Sequence, residues 1–178
     1  MSTKSSPEKI STVVEQMDTD WIDSAPKYGS VITESGRTDL YKLVGDSTVL
    51  QWSLHRAKLF TRETSVQDAL GKEQYRIERQ RRMPYSKCVL RSSQEHIWTL
   101  TTLSIVRHRH ELQFADGSVW KFKTPFFSIG LNALESNDVR VIGKMDSEFR
   151  WLFAIHPAVD SAPAAIAVAL LHEHRFGA

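Results

Sequence analysis

The chain has 178 residues, enough for one domain with a substantial core. Its hydrophobic share of 41% and charged share of 25% exclude a wholly disordered protein. Cys88 is the single cysteine, which excludes an internal disulfide and a cysteine-built zinc site, and the net charge of +2 selects no class of partner.

Residues 1–28, rich in Ser, Thr, Asp and Glu, read as a weakly ordered acidic segment. Ile10, Val13, Val14 and Met17 fall at helical spacing and predict at most a short peripheral helix there. The opening MSTKSSPEKIST lacks the apolar stretch of a secretory signal and a glycine for myristoylation, so a reducing compartment, the cytosol, is expected. Trp21 is expected to cap the open end of the domain that follows, taken as residues 29–178.

From about Ser30 the apolar period becomes two. DLYKLVG, STVLQWSL, AKLFTRE, KEQYRIER, SKCVLRS, HIWTLTTLSIVRHRHELQF, SVWKFKTPFF, VRVIGKM and FRWLFAI all read as strands. Turn signals separate them, of which Asp116-Gly117 between two alternating runs is the clearest hairpin cue. Many short strands at regular spacing predict a mainly β barrel or sandwich. There is no Gly-rich phosphate loop and no β-α-β rhythm, which disfavours a nucleotide-binding α/β fold. Alternation places Val106, His108, His110, Leu112 and Phe114 on one face and Arg107, Arg109, Glu111 and Gln113 on the other, with Lys121 and Lys123 beside Arg107 and Arg109.

Ala162–Leu171 carries no polar side chain and is interrupted only by Pro163. Ten apolar residues are about half of the roughly 20 that span a bilayer, so no transmembrane helix is expected. A helix that is apolar all round is a buried one, and here the place for it is inside a closed sheet. Its alanines suit a narrow interior, and its removal would empty the core.

A strand-built domain closed by a wholly apolar C-terminal helix resembles the tubby-like superfamily. It is most similar to the LURP-one-related branch, which also resembles phospholipid scramblases. The segments that carry this are VQDALGKEQYRIER, ELQFADGSVWKF, VRVIGKM, FRWLFAI and SAPAAIAVALLHEH, over about residues 30–178. The resemblance implies a closed antiparallel barrel of about 12 strands around a central helix, here about 161–174. It also implies a non-enzymatic protein, with anionic phospholipid or phosphoinositide head groups at a membrane surface as the leading ligand.

The chemistry-bearing residues agree with a binding role. His108 and His110 share a strand face, but no third ligand is in sight and no metal or cofactor is expected. His172 and His174 diverge on a helix. Cys88 shares parity with Leu90 and reads as a buried, inert thiol. The remaining feature is charge. Residues 72–91 hold Lys72, Arg76, Arg79, Arg81, Arg82, Lys87 and Arg91 against only Glu73 and Glu78. The candidate lipid-binding residues are therefore Arg79, Arg81, Arg82, Arg107, Arg109, Lys121 and Lys123. The patch is small and has no aromatic stacking platform, which disfavours nucleic acid. The alternative role is a scaffold that docks a protein partner through its barrel and acidic N-terminal segment, with no lipid involved.

Overall fold

Period-two alternation builds strands whose inward side chains converge on one core. The computed structural model describes residues 20–56, 62–82, 85–104, 109–123, 130–148 and 150–176. The strands are β1 (Lys27–Ile32), β2 (Thr38–Val44), β3 (Ser47–Arg56), β4 (Glu63–Asp68), β5 (Glu73–Arg82) and β6 (Tyr85–Ser92). They continue as β7 (Glu95–Ser104), β8 (Arg109–Phe114), β9 (Val119–Lys123), β10 (Gly130–Glu135), β11 (Asp138–Met145) and β12 (Trp151–Ile155). Each pairs antiparallel with its neighbours in sequence, and β1 closes on β12 with Lys27 opposite Ala154 and Ser30 opposite Trp151. The expected closed 12-stranded barrel is therefore present. Register shifts interrupt β2–β3, β4–β5, β6–β7, β7–β8 and β10–β11. Such bulges raise local twist and bend a strand, which helps a sheet curl into closure.

Helix α1 (Ser161–Phe176) fills the barrel, two residues longer than expected. Every residue from Pro163 to Glu173 is buried, so no side of this stretch faces solvent. Pro163 sits in the first turn, where its missing N–H costs no intrahelical bond. Ala164, Ala165, Ala167 and Ala169 keep the helix slim, and larger wall residues such as Leu54, Ile77, Trp98 and Phe122 supply the volume around it. At Gly143 the fit is tightest. A Cβ there would lie 2.7 Å from that of Phe153, so only glycine lets the Phe153 side chain occupy that part of the interior.

Three strands escaped the alternation reading, for one shared reason. In β4 (ETSVQD) and β10 (GLNALE) short or polar residues outnumber β-branched and aromatic ones, and in β1 (KYGSVI) they equal them, so the strand signal is diluted in all three. Their inward positions still alternate: Thr64 and Val66 in β4, Leu131 and Ala133 in β10. The long run HIWTLTTLSIVRHRHELQF is two strands, β7 and β8. Of AKLFTRE, residues 57–61 lie outside the described residues, as do the acidic segment 1–19 and its short helix. Residues 20–25 form turns, and the Trp21 ring packs 5.0 Å from that of His156, in the segment that joins β12 to α1.

Candidate functional site

The helix gives the barrel two distinct ends. Around its N-terminus, Tyr28 donates from its hydroxyl to Ser161 Oγ at 2.8 Å, and the Trp98 indole N–H donates to the Pro163 carbonyl at 2.9 Å. The end of β3, the start of β8 and the end of β9 all lie around its C-terminus, which brings Arg56, Arg109 and Lys123 to one rim.

Inside that rim is an ionic centre. Glu173, only 1% exposed, lies in the last turns of α1, where a carboxylate opposes the helix dipole. Its Oε1 accepts from Arg79 at 2.7 Å and also from Arg56 Nε. These two cations offset both the dipole and the cost of burying a charge. Arg56 and Arg79 remain 39% and 24% exposed, so the centre is buried on the helix side and open on the strand side. Next to Glu173, His172 Nδ1 is 2.8 Å from Ser30 Oγ, tying the helix to β1.

Burial pushes the His174 imidazole down to about 4, with Arg79 and Arg56 adding to the shift, so the ring is neutral at pH 7. Burial likewise pushes the Cys88 thiol up to about 11, against a smaller opposing effect of Arg79, its cross-strand partner. A thiol so held is no nucleophile at neutral pH, in line with its reading as inert.

The structure corrects the placement of Arg79. The sequence counts it in a basic run and among the candidate lipid-binding residues, but on β5 it shares parity with Ile77, which is fully buried, and it turns inward to Glu173. The signal was in the sequence twice. Alternation from Ile77 points residue 79 inward, and an acid on an otherwise apolar buried helix demands a cation from the wall. Glu173 and Arg56 are the residues the reading missed.

Much of the remaining charge around β5 is also spent internally. Arg76 pairs with Glu73 at 2.7 Å and Glu63 at 3.6 Å, and Arg91 pairs with Glu78 at 3.3 Å. Along β8 and β9 the picture differs. Arg109 and Lys123 are direct cross-strand partners, both are exposed, and neither makes an ion pair among the described residues. Lys121 is exposed two residues further along, opposite Glu111. Arg81 and Arg82 end β5 opposite Ser86 and Tyr85, at the same rim, but their side chains lie outside the described residues. Arg107 and His108 also lie outside them. His110 Nδ1 is 3.2 Å from Thr102 Oγ1, a hydrogen bond between neighbouring strands. The expected set is thus divided: Arg109, Lys121 and Lys123 share an outer face, and Arg79 leaves it.

No helix among the described residues is long and apolar enough to cross a membrane. No group of three or more His, Cys, Asp or Glu side chains among them is placed to hold a metal ion. No family model matches the chain, and no curated protein matches it. An X-ray structure of a protein from Arabidopsis thaliana is similar in fold, with a TM-score of 0.61 over 89% of this chain and 97% of that one, at 11% sequence identity.

Proposed function

We propose that this chain is a tubby-like, LURP-one-related domain that binds anionic phospholipid head groups at a membrane surface, without catalysis, through the outer face of β8–β9. One observation carries the reading: Arg109 and Lys123 stand side by side, exposed and without ion-pair partners among the described residues, whereas Arg76, Arg79, Arg91, Arg140 and Arg150 are each ion-paired. Paired guanidinium and ammonium groups suit a phosphate ester, and each contributes about 1 kcal/mol near an anionic bilayer. The hairpin end carrying Arg81 and Arg82 reaches the same rim from β5, three strands away. A binding role without catalysis is supported by α1, which fills the centre of the barrel, and by the raised pKa of Cys88.

The test is co-sedimentation with phosphatidylcholine vesicles, with and without a phosphoinositide, at low and high salt. Wild type is expected to bind only the anionic vesicles and to be released by salt. The double variant Arg109→Ala/Lys123→Ala should lose about 2 kcal/mol of binding, roughly thirtyfold. Arg76→Ala/Arg91→Ala, which removes neutralised cations, should bind as wild type does. Equal binding by all three proteins, or none by wild type, would reject the lipid reading and turn attention to a protein partner for the barrel.

A further inference from the structure

The opposite end of the barrel contains a cavity that the lipid reading does not use. It has a volume of about 410 Å³ and lies where the β6–β7, β8–β9 and β10–β11 turns meet residues 158–160 and the start of α1. That volume is within the range of small-molecule sites, about 300–1,000 Å³.

Its lining combines two kinds of surface. Ile97, Phe114, Trp120, Val159 and Pro163 give it an apolar wall, with the Phe114 and Trp120 rings edge to face at 4.7 Å. Glu95, Asp116, Glu135 and Asp160 contribute carboxylates, and Arg140 is the cation in the lining. Arg140 is already balanced, with its Nε donating to Glu135 at 2.8 Å. Asp116 is held below the usual carboxylate range by hydrogen bonds from Ser118, so it stays ionised. Asp160 accepts a long bond of 3.4 Å from the Ala162 N–H, and Glu95 makes no ion pair among the described residues. Three acidic residues beyond the Glu135–Arg140 pair thus line a half-apolar hollow.

That combination discriminates among ligands. An anion meets like charge, and a neutral apolar molecule leaves the carboxylates without a partner. An organic cation with an apolar body satisfies both surfaces, its charge toward the carboxylates and its body against the aromatic and aliphatic wall, where a ring face adds cation–π attraction. The geometry points to a binding site for a small organic ammonium ion at the helix N-terminal end of the barrel. This site lies at the end opposite Arg109 and Lys123 and stands independently of lipid binding.

The test uses three probes of one size: benzylamine, benzyl alcohol and benzoate, titrated into the full chain at neutral pH. The readout is the indole N–H resonance of Trp120 in a nitrogen–proton correlation spectrum. Trp151, which packs near His172 at the other end, serves as the remote reference. Benzylamine should shift Trp120 saturably and leave Trp151 unchanged. Benzyl alcohol should bind about tenfold or more weakly, the loss expected when a charge match is removed, and benzoate should not bind. Glu95→Gln, at an exposed position that leaves the fold intact, should weaken benzylamine by about two- to fivefold, the range of an exposed ion pair. Equal responses to amine and alcohol, no effect of Glu95→Gln, or no shift of Trp120 with any probe would each overturn the assignment.

Discussion

At its N-terminal end α1 is held by neutral hydrogen bonds, from Tyr28 to Ser161 and from Trp98 to Pro163, whereas at its C-terminal end Arg56 and Arg79 grip the Glu173 carboxylate. The first arrangement leaves the surrounding carboxylates free to face solvent or a ligand. The second consumes two cations, one of them, Arg79, counted in the basic run of residues 72–91. A charge total therefore says little about a barrel until strand parity has divided it between wall and interior. The same contrast predicts different responses to mutation, pH and loss of a hydroxyl.

The largest effect is expected at the ionic end. Arg56→Ala/Arg79→Ala would strand a carboxylate that is 1% exposed, at a cost of about 3–5 kcal/mol in unfolding free energy by denaturant titration. Replacing all three members by apolar residues of similar size should recover most of that loss, because a buried ion pair seldom exceeds good apolar packing. A loss below about 1 kcal/mol in the double variant would show that the ionic grip does not anchor the helix.

A smaller effect follows from His174. Its native pKa of about 4 lies below the ordinary value of 6.5, so between these pH values the unfolded chain binds more protons than the folded one. The His174 contribution is thus fully present above about pH 6.5 and is lost as pH falls toward 4. For a partly exposed ring this amounts to about 2 kcal/mol, discounted from about 1.4 per pKa unit. The urea midpoint should fall across that window, and His174→Gln should flatten the slope. At the neutral end the effect is smallest. Tyr28→Phe removes one half-buried hydrogen bond and should cost about 1 kcal/mol at every pH in that window.

What the sequence revealed depended on how local the signal was. Ala162–Leu171 declared a buried helix because its composition admits no other environment in water. Asp116-Gly117 marked its turn because Gly117 adopts a φ of 92° and Asp116 bonds Ser118 within the same four residues. β10, in contrast, reads GLNALE and is a strand because β9 and β11 flank it and demand backbone partners, a tertiary fact that composition does not carry. The outer cations Arg109, Lys121 and Lys123 were legible by alternation. Arg79 is lost in a basic run taken as one block and emerges only when parity with Ile77 is applied residue by residue. The cavity at the other end was invisible, since its lining comes from three hairpins and the segment before α1.

The order of elements also has a consequence for biosynthesis. The seam between β1 and β12 joins segments more than a hundred residues apart, and the helix that fills the interior is translated after both. While the ribosome is still making β11, the inward faces of the earlier strands have no partner to cover them. Filling thus follows synthesis of α1. Although the other strand pairings join sequence neighbours, the barrel closes only through the long-range β1–β12 seam, whose loop-closure cost slows folding. During that interval the nascent chain exposes apolar surface, and chaperone protection is most valuable then.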